Sequence, residues 1–287
     1  MRPLVIIVFL SGIWAPAWAQ DDLRAFDKEL VRIGHGVNEL QARYLDPELD
    51  KKRQEFAARV NDAQIFALSK DYDRSAIVLL DLVERPGSAQ HPGYLDALHH
   101  LTNALFHLRN YTTAVRYLEV LIRRGNTRQR SDALARVLEI AKVTDDAALG
   151  HRHLRTADAT AGNNADGPLL YSVAKYRYHR GDLAGALRGF ERIQPAMDTY
   201  LKARYFMGDI AIRDEKLDVA RENFELVANT AATPEPAKEA VRHQARLALA
   251  RISYQQEKFD EAIDAYNQLP TSSTLFDRAM YESVWVS

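Results

Sequence analysis

Gly181-Asp182-Leu183-Ala184-Gly185-Ala186-Leu187-Arg188-Gly189-Phe190 is the stretch that decides the fold. A short polar turn ends in a bulky residue, Leu183. A small residue, Ala186, follows three positions later, and an apolar one, Phe190, four after that. The order recurs along the chain. Lys70-Asp71-Tyr72 leads to Ser75 and Leu79, and Arg109-Asn110-Tyr111 to Ala114 and Leu118. Glu215-Lys216-Leu217 leads to Ala220 and Phe224, and Glu257-Lys258-Phe259 to Ala262 and Tyr266. A weaker copy runs through Ala147 and His151. Twelve residues before each small position stands another, usually small: Ala63, Thr102, Ala135, Ala174, Gly208 and Ala250.

Helix packing gives this order a physical reason. Two antiparallel helices joined by a tight turn approach closely only where small side chains meet, and large apolar residues one turn away fill the space to the next pair. The small positions are separated by 39, 33, 39, 34 and 42 residues. A period of about 34 residues with a tyrosine and Ala-x3-Phe characterises tetratricopeptide (TPR) repeats. The chain resembles TPR proteins over roughly residues 56–276, although the consensus tryptophan is missing from every full repeat. The resemblance implies an all-α, right-handed helix-turn-helix solenoid with about six repeats. The longer spacings place links at Pro86-Gly87-Ser88 and from Thr230 to Glu235. Turn residues at Ala161-Gly162-Asn163-Asn164-Ala165-Asp166-Gly167 predict a further loop. Phe276 to Trp285 reads as the first helix of a seventh repeat, with Met280, Val284 and Trp285 on an apolar outer face.

Three segments are expected: a signal peptide at 1–19, a heptad-patterned helical segment at 20–55, and the repeat array at 56–287. Arg2, the apolar run Leu4 to Ile13 and Ala17-Trp18-Ala19 form a cleavable export signal, with the mature chain starting near Gln20. Cleavage near Ala19 makes the mature protein periplasmic or otherwise exported, with no transmembrane segment of its own. From Leu23 the apolar residues fall at Phe26, Leu30, Ile33, Val37, Leu40 and Tyr44, alternating steps of three and four. Such a seam fits a coiled coil, which would make the chain a homo-oligomer through Leu23–Tyr44, and equally one amphipathic helix packed on the rest. Asp46-Pro47 ends it, since proline pushes the preceding residue out of the helical region.

Composition narrows the function. With 47% hydrophobic and 27% charged residues and a formal net charge of −1, the chain has the balance of a folded protein and no bulk attraction to nucleic acid. Cysteine is absent, which removes disulfides, thiolate metal sites and cysteine nucleophiles. The nine histidines lack ligand spacing: His99 and His100 point apart on a helix, His100 and His107 are two turns apart, and His151 and His153 diverge. Asp145-Asp146 suits a helix start better than acid–base chemistry. Arg123-Arg124, Arg128 and Arg130 read as a solvated link between repeats. No phosphate loop, G-x-S-x-G or dinucleotide fingerprint occurs. The reading is therefore a non-enzyme with no catalytic, cofactor or metal site.

Tyr44-Leu45-Asp46-Pro47-Glu48, Asp71-Tyr72-Asp73-Arg74-Ser75-Ala76-Ile77-Val78-Leu79 and Ala279-Met280-Tyr281-Glu282-Ser283-Val284-Trp285 add a closer likeness. They resemble periplasmic TPR proteins of the myxobacterial gliding-motility type. That resemblance implies a scaffold mediating protein–protein interactions in a cell-envelope assembly, with proteins or peptides of the envelope as partners. The alternatives are an oligomeric structural envelope component and an accessory repeat region of a longer envelope protein. In a TPR superhelix the first helix of each pair lines the concave groove. Its fifth, ninth and twelfth positions give His99, Asn103 and Phe106; Tyr171, Lys175 and Tyr178; Tyr205, Asp209 and Ile212; and Leu247, Arg251 and Tyr254. Aromatic and arginine anchors carry much binding energy, Lys175 and Arg251 suit a carboxylate, and Asn103 suits a peptide backbone.

Overall fold

The computed structural model describes residues 31–33, 47–164 and 166–286. The predicted signal peptide lies outside the described residues; of the expected 20–55 segment, 31–33 are described and helical, and 47–55 belong to the helix that begins at Pro47. The chain divides into two compact units, Met1–Asp62 and Ala63–Ser287. The first helix, α1 (Pro47–Leu68), runs across that division and across residue 56. Pro47, expected to close the heptad segment, opens this helix, where a missing N–H costs nothing.

The second unit is built of helical hairpins. After α1 come α2 (Tyr72–Val83), a short 3₁₀ turn at Ser88–Gln90, α3 (Tyr94–His107), α4 (Tyr111–Arg124), α5 (Thr127–Val143) and α6 (Ala147–Asn164). They continue as α7 (Gly167–His179), α8 (Leu183–Glu191), α9 (Tyr200–Arg213), α10 (Leu217–Ala228), α11 (Pro236–Gln255), α12 (Phe259–Asn267) and α13 (Phe276–Ser283). No strand occurs among the described residues. From α3 onward each helix packs on its hairpin partner and on the helix that follows it. This is a TPR-type helix-turn-helix solenoid.

One turn closes every hairpin. Lys70, Arg109, Asp145, Glu215 and Glu257 adopt left-handed backbone (φ 52–61°), and Gly181 does so at φ 81°. Each is flanked by the same two hydrogen bonds. At the fourth hairpin Gly181 N–H donates to the Tyr178 carbonyl and Asp182 N–H to the Arg177 carbonyl; at the fifth Glu215 donates to Ile212 and Lys216 to Ala211. These pairs satisfy the last carbonyls of the first helix. The residue after the left-handed position caps the second helix. Asp71, Asn110, Asp146 and Asp182 each accept a backbone N–H three residues on, whereas Lys216 and Lys258 offer no side-chain cap.

Only the fourth hairpin uses glycine where the backbone is left-handed. A side chain there costs about 1 kcal/mol. Glu215→Gly is therefore expected to raise the unfolding free energy by about 0.5–1 kcal/mol, and Gly181→Ala, which meets no neighbouring atom, to lower it by a similar amount. Urea denaturation checks both; opposite signs would show that the turn is not the strained element.

The caps also correct the register of the weakest repeat. Asp146 Oδ1 accepts the Leu149 N–H at 2.9 Å, so the small position, four residues past the cap, is Gly150 and not Ala147. Its partner twelve residues earlier is the buried Leu138, not Ala135. The slip arose because Gly150 stands where the other copies have alanine or serine. With Gly150 in place the spacings become 39, 36, 36, 34 and 42.

The other small positions lie where the pattern put them: Ser75, Ala114, Ala186, Ala220 and Ala262 are fully buried, as are Ala63, Ala174 and Ala250. A Cβ on Gly189 would lie 2.8 Å from the Ala174 Cβ, which is how closely α7 and α8 cross. Leu79, Leu118, Phe190, Phe224 and Tyr266 fill the adjoining space. Within α4 the buried Ala114, Tyr117, Leu118 and Leu121 make one stripe, opposed by exposed Arg116, Arg123 and Arg124.

Two further expectations are corrected. The predicted 161–167 loop is mostly helix, because α6 continues to Asn164 with Ala157 and Ala161 buried, and Asp166 already caps α7 by accepting the Leu169 N–H. Packing overrides the turn composition there. In α13, Met280 packs against the core formed by Leu247, Ala250, Ala262, Tyr266, Leu269 and Ala279; only Val284 and Trp285 of the expected outer face are exposed, together with Tyr281.

Candidate protein-binding face

Successive first helices touch across the repeats, α3 with α5, α5 with α7, and α9 with α11. Elements that approach on one side of a stack curve it toward that side, so these helices form its inner layer. The side chains expected to bind a partner lie on this layer, and many reach for the next repeat.

At α3, His99 Nε2 lies 3.9 Å from Asp132 of α5. Asn103 Oδ1 accepts a hydrogen bond from Arg136 at 2.9 Å, and the same guanidinium sits 4.3 Å above the Phe106 ring. Gln64 and His100 meet at 2.8 Å, and Gln129 donates to Asp96 at 2.6 Å. Burial pulls the Arg136 guanidinium below its ordinary value, against the pull of Asp132 and Glu139.

At α7, Tyr171, Phe206, Phe190 and Tyr178 form an aromatic floor, with Tyr171 at 6.1 Å and Tyr178 at 5.0 Å from Phe206. Burial pushes the Tyr171 hydroxyl up. Lys175 stands above this ring, 5.7 Å from its centroid and 3.8 Å from the Glu139 carboxylate. Burial and a hydrogen bond with Lys142 draw Lys175 down to about 8, although Glu139 opposes this. The Tyr178 hydroxyl donates to Asp209 and accepts from Arg213 at 2.6 Å, while Arg213 Nε reaches Asp209 at 3.1 Å. Burial and the Asp209 carboxylate hold Tyr178 up at about 12.

At α9 and α11 the pattern continues. Tyr205 packs at 5.4 Å from Phe224, and Ile212 turns into the same core. Leu247 is a correction: it holds the same register as His99, Tyr171 and Tyr205, but it is buried in the α11–α13 core with Ala250, Ala262, Tyr266, Leu269 and Ala279, where its apolar side chain leaves water. Arg251 forks onto Glu282 of α13 at 2.6 and 2.8 Å, where Arg278 and the Tyr266 hydroxyl also converge. Tyr254 remains 45% exposed, with its ring 5.9 Å from Phe259.

The hydrogen bonds to Arg251 and Arg278 hold Glu282 down at about 2. A carboxylate depressed in the folded state contributes stability above its unfolded value of 4.5, and that contribution is lost as pH falls toward 2. Glu282→Gln is expected to lower the thermal midpoint at neutral pH and to flatten its fall across this acid window. An identical acid limb in the variant counts against the assignment.

The inner face thus divides in two. Asn103, Tyr178 and Arg251 direct their polar groups at the next repeat, across sequence separations of 31–33 residues, and Asp209 receives the Tyr178 hydroxyl from the repeat before it. His99 and Lys175 make looser ion pairs, at 3.9 and 3.8 Å, and Tyr254 stays 45% exposed. Sequence reasoning missed Arg136, Glu139, Lys142, Arg213 and Glu282. A search for opposite charges one repeat apart, such as Glu139 and Lys175, would have found several of them. Two hollows at the hairpin ends, one lined by Met197, Tyr200 and Leu226 and the other by Tyr111, Ile140 and Leu149, include none of the expected face residues. No group of three metal-ligating side chains occurs among the described residues.

No family model and no curated protein matches this chain. Among solved structures it is similar to a Podosopora anserina kinesin light chain with nearly identical TPR-like repeats, at 14% identity and a TM-score of 0.35, covering 80% of this chain and 97% of that one. A point variant of the same protein gives 14% identity and a TM-score of 0.34, covering 81% and 98%. At these scores the likeness carries no argument, and the solenoid assignment rests on the helices, turns and caps described above.

Proposed function

We propose that this chain is a non-catalytic interaction scaffold, exported after cleavage near Ala19, whose inner helix layer receives a segment of an envelope protein. The observation that supports it is the row of His99, Lys175 and Tyr254, three different chemistries on alternate first helices (α3, α7 and α11) of one layer. Aromatic and cationic anchors spaced along a solenoid suit an extended partner. An envelope assembly of the gliding-motility kind is the setting that the residues of 44–79 and 279–285 suggest.

The test is crosslinking in intact cells, with fractionation and identification of the captured proteins. Tyr178 and Arg251 bind neighbouring repeats, so their removal would weaken the array as well as the face. Lys175→Ala with Tyr254→Ala is the cleaner change. Loss of a defined envelope partner in this variant, with the circular dichroism midpoint kept, supports the reading. Capture of no partner, or of the same partners at the same yield, overturns it.

A second reading is favoured by Tyr281, Val284 and Trp285, each more than 60% exposed at the last helix. Self-association through that edge would make the protein an oligomeric structural component. Sedimentation of the mature chain decides it: a monomer throughout the micromolar range removes this reading.

A further inference from the structure

The middle of the inner layer holds more positive charge than its own carboxylates balance. Lys142 Nζ sits 2.6 Å from one oxygen of Glu139, and Lys175 Nζ 3.8 Å from the other. Two ammonium groups on neighbouring first helices thus share one carboxylate and lie within hydrogen-bonding reach of each other. Lys202, near the start of α9, adds its charge from the other side of α7. The remaining charged groups around α7 are engaged elsewhere: Arg177, on the opposite flank, takes Asp158 of α6 at 2.7 Å and Asp182 at the cap of α8 at 3.8 Å. Asp209 of α9 is held by Tyr178 and Arg213. Lys142 and Lys175 therefore share the Glu139 carboxylate, with Lys202 near enough to repel Lys175, beside the Tyr171–Phe206 aromatic floor.

We propose that Lys142, Lys175 and Lys202 dock an acidic side chain of a partner peptide, and that the site takes up a proton as the carboxylate arrives. The inference rests on the reading that the inner layer is the binding face. Partial burial, and then crowding by Lys142, hold Lys175 at about 8 in the free protein, so part of the population lacks its charge in mildly alkaline solution. An incoming carboxylate favours the charged form, and protonation and docking are then linked. A peptide fits better than a small anion because the Tyr171 ring, backed by Phe206, lies beside Lys175 and accepts an apolar residue next to an acidic one.

A soluble glutamate–tyrosine copolymer is the probe, titrated calorimetrically into the full chain near pH 8 in HEPES and in Tris. The two buffers differ in ionisation enthalpy, and the difference in observed heat reports the protons exchanged. Uptake of about half a proton is expected near pH 8, shrinking toward zero at pH 6. Lys175→Arg should keep binding while abolishing the uptake, because arginine stays charged throughout this range. Lys142→Gln with Lys175→Gln should weaken binding about tenfold or more.

Buffer-independent heat in the unsubstituted chain overturns the proposal, as does undiminished uptake in Lys175→Arg. Binding of phosphatidylglycerol vesicles or a phosphotyrosine peptide with the same proton signature, where the copolymer does not bind, overturns it too. The two readings fail separately. If a cellular partner is lost only with Tyr254→Ala and ignores the lysine changes, the acidic docking fails and the scaffold stands. If no partner is captured but the copolymer shows lysine-dependent proton uptake, the scaffold fails and the site stands.

Discussion

Gly150→Ala is expected to lower the unfolding free energy by about 3 kcal/mol, the upper end of what one extra methyl costs in a filled core. The added Cβ would lie 2.0 Å from the Tyr176 hydroxyl and 2.2 Å from the ring carbon that bears it. Tyr176 is itself buried, and its ring has little room to retreat. Either the ring moves or α6 separates from α7, and both lose close packing. The Tyr176 hydroxyl has no hydrogen-bond partner, so Tyr176→Phe alone is expected to be neutral or slightly stabilising. Combining the two changes should recover part of the loss, since the hydroxyl is the nearest clashing atom. Chemical denaturation of the two single variants and the double one gives the coupling directly. Simple additivity would show that the glycine serves something other than this contact.

Phe224→Ala is expected to cost about 4 kcal/mol. The ring is almost fully buried among Ala211, Ala220, Val227, Ala228, Ala245, Ala248 and Ile252, and Gly208 is small because a Cβ there would sit 2.8 Å from it. So many alanines offer little that can collapse into the vacated space, which places the loss high in the range for such truncations. In a solenoid each repeat touches only its neighbours, and the damage should stay local. Hydrogen exchange in the variant is expected to lose protection across α9–α11 while α3–α5 keep theirs. Uniform loss along the array would mean that the repeats unfold as one unit.

Five of the six hairpins were legible in the sequence because backbone sterics and close packing admit few residues at a crossing. Ala186 or Ala220 cannot be exchanged for something large without parting two helices. The fourth-from-last hairpin was misplaced for a physical reason as well: Gly150 meets the same need as alanine, but with a tyrosine ring occupying the room that a Cβ would fill. The loop expected at 161–167 failed because glycine and asparagine report local preference, which the buried Ala157 and Ala161 outweigh. The face residues were legible only as far as periodicity reaches. Counting positions put Asn103, Tyr178 and Arg251 on first helices, where they lie, but gave no sign of their reach toward Arg136, Asp209 and Glu282. Long polar side chains choose partners in three dimensions, and a one-repeat offset in sequence is a faint trace of that choice.

The cross-repeat hydrogen bonds of the inner layer also bear on mechanics. A pull along the array that straightens the stack parts the first helices from one another before it parts the hairpins. What gives way first is a series of polar rungs such as Arg251–Glu282 and Arg213–Tyr178, which are partly open to solvent. Water replaces partly exposed rungs of this kind at about 1 kcal/mol each, and dissolved salt softens them further. The apolar seams around Phe190 and Phe224 hold meanwhile. In this geometry the rungs are the soft elements of the array and the apolar seams the firm ones, and only the charged rungs weaken as ionic strength rises.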